Sequence, residues 1–467
     1  MKRFVKTRHE LTAVTGWRMV DVCANLCYGA DGLEIKSFVR QYHIITLGCQ
    51  MNVSDSERVA AVFEHLNYSA TKKPDMADVI VINACSVRQT AIDRIWGLTR
   101  DLGQLRHDKS IKLVLTGCVL PEDKEKLAER FDLIFEIKKL AELEKFLHRN
   151  QDFVGENYFN VWPKSDSPFS RLAPIMTGCD NYCSYCAVPY VRGREQSRPV
   201  KEVLAEIKEL VRFGAKEICL LGQNVNSYDP PDKENFFVGN PFQHDFAKLL
   251  WEVNRVDGVA RINFASSHPK DVSDEMIEAL KLPKQLNYLH LAVQSGDDSV
   301  LANMNRQYTI ADFEKLIQKI RLAKPGIAIG TDIIVGFPGE TRAQFENTLR
   351  LYKRVRFDIA YLARYSPRAG TAAAKLVDDV PREEKKRRWR ELQTLMEKIV
   401  LKKNQKYIGQ TVEVLIDKVG KDFVEGNSRE MKRVRVYDEP SLKRGDFVGV
   451  KVDAARMWIL SGRVTGR

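Results

Sequence analysis

The chain has 467 residues and a formal charge of +12, with 44% hydrophobic and 29% charged residues. That is too long for one ordinary core and argues for about three domains of a soluble globular protein. No apolar run reaches the ~18 residues of a membrane helix, and Leu11–Cys27 is broken by Thr, Gly, Arg and Asp, so neither a membrane span nor a signal peptide is expected.

Nine Cys is an odd number without disulfide-style spacing, which favours reduced thiols used for metal or catalysis, in the cytoplasm. The charge is uneven. Residues 381–410 hold ten Lys/Arg against four Asp/Glu, and 411–467 hold twelve against nine, so the last 87 residues carry +9 of the +12. A basic end is the electrostatic footprint of a nucleic-acid binder.

In chain order, residues 1–38 show little periodicity. Cys23 and Cys27 make a lone C-x3-C there without a third partner, and the segment reads as an unassigned extension. From Tyr42 strand and helix alternate. Strand Tyr42–Thr46 is closed by Leu47-Gly48-Cys49, and cap-type Ser54-Asp55-Ser56-Glu57 leads a helix through Val59, Val62, Phe63 and Leu66. Strand Asp78–Asn83 is closed by Ala84-Cys85, and Ile111–Leu115 by Thr116-Gly117-Cys118. Residues 40–155 therefore read as a parallel α/β domain. Cys49, Cys85 and Cys118 each fall one to three residues past a strand's C-terminal end, where ligands bind in open parallel sheets. Three thiols 36 and 33 residues apart would thus meet at one rim.

Residues 151–170 are polar, contain Pro163 and Pro168, and read as a linker. A second α/β series over 165–396 opens with the apolar run Leu172–Met176, Thr177-Gly178, and then Cys179-Asp180-Asn181-Tyr182-Cys183-Ser184-Tyr185-Cys186. Thiolates this close can converge on one soft metal centre. Iron–sulfur clusters usually take four Cys, so three leave one iron open, which marks a catalytic rather than a structural site. Zinc would want a fourth ligand, and no Cys or His lies within thirty residues on either side.

Helices are expected at Val200–Phe213, Phe246–Val253, Asp274–Leu280, Ile310–Ala323 and Thr341–Val355. Strands are expected at Glu217–Leu221, Arg261–Ala265, Tyr288–Val293, Ile327–Val335 and Asp358–Ala363. With the strand before Cys179 these make six βα units, too few for a closed eight-unit barrel, so the barrel is partial. His268, followed by Pro269, reads as a structural hydrogen-bonder and Cys219 as core. Pro381–Lys406 is a charged helix. Short strands Thr411–Ile416, Val434–Tyr437, Phe447–Val452 and Trp458–Leu460 follow, within a domain over 398–467. With Lys432, Arg433, Arg435, Lys443 and Arg444 between them, they suggest a small β-barrel presenting cations to RNA.

Several motifs resemble a known family. Cys179–Cys186 matches the radical S-adenosylmethionine (SAM) pattern, with Tyr185 as its aromatic. The chain from about residue 41 is similar to the radical SAM methylthiotransferases, in particular the MiaB-type tRNA enzymes. The stretches that carry this are Gly48-Cys49-Gln50-Met51-Asn52, Asn83-Ala84-Cys85-Ser86-Val87-Arg88, Val188-Pro189-Tyr190-Val191-Arg192-Gly193-Arg194-Glu195, Leu221-Gly222-Gln223-Asn224-Val225-Asn226, Met304-Asn305-Arg306 and Tyr365-Ser366-Pro367-Arg368. Ala369 departs from the family's usual Pro, and Gly426-Asn427-Ser428-Arg429 from the Gly-Arg-Thr of its C-terminal TRAM domain.

The resemblance implies an N-terminal methylthiotransferase domain, a radical SAM partial (β/α)6 barrel and a TRAM barrel. It also implies two [4Fe-4S] clusters, one on Cys179, Cys183 and Cys186 binding SAM through its open iron, the other an auxiliary cluster on Cys49, Cys85 and Cys118 that supplies sulfur. Reductive cleavage of SAM would give the radical that an unactivated C–H demands, the cofactor carrying the hard chemistry. Tyr185, Gln223, Asn224, Gln294 and Asp332 are implied SAM contacts, and Arg192, Arg194 and Arg198 would neutralise the SAM carboxylate or tRNA phosphates. The implied substrate is an isopentenylated adenosine beside the anticodon, in a tRNA anticodon stem-loop gripped by the TRAM domain. The implied electron donor is of the flavodoxin or ferredoxin type, and the protein a monomer. The alternatives are methylthiolation of a ribosomal-protein side chain or of threonylcarbamoyladenosine. Those branches carry Pro-Lys-Asn or Lys-Val-Asn after the first Cys, and Gln50-Met51-Asn52 fits neither.

Overall fold

The run Val79-Ile80-Val81-Ile82 is buried on both faces, as a central parallel strand requires. The computed structural model describes residues 39–85, 89–148, 158–164 and 167–466. In it the run belongs to a parallel sheet of β1 (Gln41–Leu47), β2 (Ser69–Ala70), β3 (Val79–Cys85), β4 (Lys112–Cys118) and β5 (Leu133–Ile134), ordered β2-β1-β3-β4-β5. Because side chains alternate along a strand, Val79 and Val81 pack with Val59 and Phe63 of α1 (Gln50–His65). Ile80 and Ile82 pack on the other face with Ile92 and Ile95 of α2 (Gln89–Lys109). Helices α3 (Pro121–Leu127) and α4 (Leu140–Leu147) complete the two outer layers through Leu127 and Leu143.

The next wall is built from β6 (Ser170–Pro174), the two-residue ribbon of β7 (Met176–Thr177) with β8 (Gln196–Ser197), β9 (Glu217–Leu221), β10 (Arg261–Phe264), β11 (Tyr288–His290), β12 (Ala328–Val335) and β13 (Ile359–Arg364). Among the described residues β6, β9 and β10 form one parallel sheet and β11, β12 and β13 another. Parallel bridges Ile262↔Gln285 and Ser267↔Leu291 join them. Neighbours in space are therefore neighbours in sequence, β6 and β13 stand at the two edges, and the expected partial barrel is found. The strand expected to reach Val293 ends at His290 and the one expected to reach Ala265 ends at Phe264. The chain turns left-handed just beyond, at Gln294 (φ 68°) and Ser266 (φ 70°).

Helices α5 (Val188–Arg192), α6 (Val200–Arg212), α7 (Asp245–Arg255), α8 (Asp274–Ala279), α9 (Asp298–Asn303), α10 (Ile310–Ala323) and α11 (Arg342–Val355) alternate with these strands. Helix α12 (Arg382–Gln405) lies on β13, where Trp389 Nε1 donates to Leu362 O (3.1 Å). The chain ends in a closed barrel of β14 (Thr411–Val419), β15 (Phe423–Ser428), β16 (Arg433–Tyr437), β17 (Phe447–Ala455) and β18 (Leu460–Gly466), filled by Val414, Ile416, Val436, Val450 and Leu460. The strand expected at Trp458–Leu460 starts only at Leu460, and β15 was not expected. Gly426 and Asn427 break its apolar alternation, and a Cβ at Gly426 would stand 2.0 Å from Leu415 O.

Residues 1–38, with Cys23 and Cys27, lie outside the described residues. The expected linker is only partly one. Tyr158 and Val161 are buried in the α1 core, Lys164 N donates to Glu57 O (3.0 Å), and Ser170 already begins β6. Ion pairs with at least one buried partner join the three parts. Arg58 and Glu206 (3.1 Å) tie α1 to α6, and Arg198 shares Glu206 (2.5 Å). Arg261, fully buried, reaches Glu413 of β14 (2.8 Å), while Lys403 and Lys432 converge on Asp358 (2.5 and 3.1 Å).

Removing one partner of a buried pair leaves the other charge uncompensated, at about 3–5 kcal/mol. Glu206→Ala strands both Arg58 and Arg198, so its urea midpoint is expected to fall by an amount equivalent to about 3–5 kcal/mol. A midpoint within error of wild type contradicts this account of the junction.

Candidate active site

The compact thiol loop leaves the wall after β7. Gly178 (φ 85°) is required there, because a Cβ would stand 1.9 Å from Arg194 O. Its N–H donates to Gln223 Oε1 (2.6 Å), and Cys179 N donates to Gly193 O (3.2 Å). Tyr182 takes a left-handed conformation (φ 45°) and Cys186 N closes on Cys183 O (2.9 Å), so Cys179, Cys183 and Cys186 are gathered by one tight loop. Each sulfur faces an N–H donor: Asn181 Nδ2 to Cys179 (3.5 Å), Arg306 Nη1 to Cys183 (3.5 Å) and Val188 N to Cys186 (3.4 Å). Burial first, and then the neighbouring Cys183, pushes the free Cys186 thiol up to about 12, and burial is also the main cause that raises Cys179. Donors aimed at sulfur favour the thiolate that a metal requires.

The turn Met304-Asn305-Arg306, with Asn305 at φ 57°, clasps this loop from outside. Ser184 N donates to Met304 O (3.0 Å), and Asn305 Nδ2 donates to Asn181 O (3.1 Å) and Tyr182 O (3.0 Å). Sequence reasoning gave these residues no role; the signal available was their motif alone.

The dispersed trio also meets at one rim. Cys85 and Cys118 are register partners and the last residues of β3 and β4, not residues beyond them; Cys49 is the N-cap of α1. Asn52 holds the rim together. Its Oδ1 accepts from Cys49 N (3.2 Å), and its Nδ2 donates to Asn83 Oδ1 (3.1 Å) and Ala84 O (3.3 Å); Asn83 Nδ2 returns a bond to Asn52 O (2.7 Å). The Asn residues of Cys-Gln-Met-Asn and Asn-Ala-Cys are thus one clamp. Met51 packs with Cys219 and Leu221 of β9, seating the rim on the partial barrel. Cys219 is core, as expected, with its thiol pushed up to about 12 by burial.

Arg192 connects the trios. Its Nε donates to Cys118 Sγ (3.0 Å) and its Nη2 pairs with Asp55 Oδ2 (2.6 Å), which also accepts on Oδ1 from Tyr158 Oη (2.6 Å). The expectation that Arg192 and Arg198 neutralise SAM or phosphate is corrected: both are buried on internal carboxylates, Asp55 and Glu206. Arg194 is exposed, beside Asp180 (2.9 Å).

Of the four polar SAM candidates, Gln223, Asn224 and Gln294 lie just past strand ends, while Asp332 sits within β12. Asn224 Nδ2 donates to Asp271 Oδ2 (2.8 Å), Asp332 Oδ2 accepts from His290 Nε2 (2.7 Å), and Gln223 is held on Gly178. Tyr185 packs with Val300, Met304, Phe337 and Tyr365. His268 is structural: its Nδ1 accepts from Lys270 N (3.2 Å), and burial lowers it to about 2.

Thr177 Oγ1, Asn224 Oδ1, Ser267 Oγ, Gln294 Oε1 and Tyr365 Oη are all buried without a hydrogen-bond partner. Each costs about 1–3 kcal/mol unmet. Five at the C-terminal ends of the wall are what a polar ligand would satisfy, and three soft thiols beside them suit an iron cluster.

A model of the Radical SAM superfamily matches residues 173–352, which hold Cys179, Cys183 and Cys186. Another, Uncharacterized protein family UPF0004, matches 41–136, which hold Cys49, Cys85 and Cys118. The chain is 43% identical over 448 residues to a tRNA-2-methylthio-N(6)-dimethylallyladenosine synthase of Caldicellulosiruptor saccharolyticus, covering 90% of this chain and 92% of that one. It is 38% identical to the protein of that name from Dictyoglomus thermophilum, covering 91% and 98%.

The chain belongs to the tRNA-2-methylthio-N(6)-dimethylallyladenosine synthase family.

Among solved structures the likeness is in fold alone. The radical S-adenosylmethionine methyltransferase TsrM of Kitasatospora setae superposes with a TM-score of 0.52 at 12% identity, covering 72% of this chain and 77% of that one.

In this synthase, Gly178→Ala forces a Cβ onto Arg194 O and moves the compact loop. The expected result is loss of one cluster's iron and a fall in SAM cleavage of about a hundredfold. Full iron content with unchanged cleavage contradicts the geometry drawn for the loop.

Proposed function

We infer that the protein inserts sulfur and a methyl group at carbon 2 of an isopentenylated adenosine in tRNA, using two [4Fe-4S] clusters and SAM. The observation that carries this is the pair of thiol trios, each gathered at strand C-termini and joined through α5, in a chain whose relatives bear that synthase name. When bound, SAM with its cluster supplies homolytic chemistry at an unactivated carbon, and the auxiliary cluster supplies sulfur.

The chain's own residues do the rest. Cys179, Cys183 and Cys186 would hold the SAM-binding cluster, with Asn181, Arg306 and Val188 aiming N–H groups at their sulfurs. Cys49, Cys85 and Cys118 would hold the auxiliary cluster. Gln223, Asn224, Gln294 and Asp332 face SAM, joined by Thr177, Ser267 and Tyr365, whose unmet buried groups support the reading. Tyr185 flanks the adenine. The electron comes from a low-potential donor of flavodoxin or ferredoxin type, and the described cysteines, none of them in a disulfide, suit the cytoplasm.

The C-terminal barrel, read as a TRAM domain, grips the tRNA. Three of its five expected cations are taken up by internal carboxylates. Lys432 is buried on Asp358, Arg433 is paired with Asp417 and Glu425, and Arg435 with Glu425. The expected Lys443 and Arg444 are exposed, as are Lys421, Lys451 and Lys418, the last 3.8 Å from Glu425. No helix among the described residues is long and apolar enough to cross a membrane.

Two measurements test this reading. Purified Cys179→Ala is expected to lose SAM cleavage, and Cys85→Ala to keep cleavage but stop sulfur insertion into an isopentenylated anticodon stem-loop. Normal methylthiolation by either variant overturns the assignment. Replacing Lys418 and Lys421 by Ala is expected to flatten the log–log salt dependence of tRNA binding by about 1–2; an unchanged slope places the tRNA elsewhere.

A further inference from the structure

Helix α5 is five residues long, so its ends are only about 6 Å apart along the axis. Pro189 in its first turn and Gly193 (φ 77°) at its C-cap fix both ends. The N–H of its first residue, Val188, points at Cys186, and the side chain of its last, Arg192, at Cys118. One rigid turn thus touches a ligand of each cluster.

Among the described residues, each trio has one buried guanidinium donating to a sulfur, but the two are paired differently. Arg192 beside Cys118 is matched by Asp55 at 2.6 Å, and the side chains of both are almost fully buried. Arg306 beside Cys183 bonds only neutral oxygens, Tyr308 Oη (3.1 Å) and Ala292 O (2.7 Å). Among the described residues no carboxylate pairs with Arg306. Net charge and hydrogen bonds to sulfur set the potential of an iron–sulfur cluster, and an unmatched cation favours its reduced, more negative state.

We propose that Asp55, by cancelling the charge of Arg192, is a positioning residue that keeps the auxiliary cluster harder to reduce than the SAM-binding cluster, so that the single incoming electron settles where SAM is cleaved. The inference rests on the reading that Cys49, Cys85 and Cys118 hold a cluster. The step is a one-electron reduction, the electron coming from the low-potential protein donor. Asp55 and Arg192 then decide its destination without touching substrate.

The test is a redox titration of the reconstituted full chain, followed by electron paramagnetic resonance, which reads the two clusters separately. In wild type the SAM-binding cluster is expected to reduce at the more positive potential. Asp55→Asn exposes the Arg192 charge, moving the auxiliary potential positive and leaving the other in place. Arg192→Gln moves it negative. The double variant has no unpaired buried charge, tolerates the change where a single variant does not fold, and is expected to titrate near wild type.

Auxiliary potentials that ignore Asp55→Asn and Arg192→Gln, or a double variant displaced as far as Arg192→Gln, overturn the proposal. Iron content of Cys118→Ala separates the two levels. If both clusters survive, the auxiliary site itself is wrong. If one is lost while the charge variants leave the potentials still, only this proposal fails.

Discussion

The Arg192 guanidinium is the constraint on which the rest of the architecture depends. It grows from the loop that carries the compact thiols, crosses to the N-terminal sheet, and is held there by Asp55 on one side and Cys118 on the other. A buried cation of this kind tolerates little displacement, because either partner lost leaves a charge without water. The α1–α6 pair Arg58–Glu206 and the bond from Tyr158 to Asp55 surround it with further polar contacts that solvent does not reach. The two thiol rims are therefore fixed relative to each other by ionic geometry rather than by a wide apolar interface. Met51, lodged against Cys219 and Leu221, supplies the apolar part.

Around that constraint the backbone does unusual things where chemistry is needed. Gly178, Tyr182, Ser266, Gln294, Asn305 and Gly336 all have positive φ, and all lie at or beyond strand C-termini or in the turn clasping the thiol loop. Non-glycine residues seldom hold such conformations unless their surroundings over-determine them. Here the surroundings are hydrogen bonds: Asn305 onto the thiol loop, Gln294 N onto Asp332 O. The same edge carries the buried polar atoms left unmet, so strain and unsatisfied donors and acceptors collect where a ligand would relieve them.

Much of this was legible in the sequence, for physical reasons. Val79–Ile82 could hardly be anything but a central strand, and the Cys that follow each apolar run mark the rim because parallel strands end together. The amphipathic spacing from Val200 placed its helix closely, and the helix expected at Ile310–Ala323 has those bounds. What sequence could not show was pairing across long separations. Arg192, Arg198, Lys432, Arg433 and Arg435 count as free positive charge until Asp55, Glu206, Asp358, Asp417 and Glu425 are seen beside them. Strand β15 was hidden because Gly426 and Asn427 interrupt the period that announces a strand, and Tyr158 because a polar stretch conceals one buried ring.

A single comparison tests the account most directly: mass spectrometry of tRNA nucleosides from cells with this chain and from cells lacking its gene. The account predicts that methylthiolated isopentenyladenosine disappears, that unmodified isopentenyladenosine accumulates, and that the wild-type chain restores the first. Unchanged methylthiolated nucleoside, with an altered mass in a ribosomal protein instead, would contradict it.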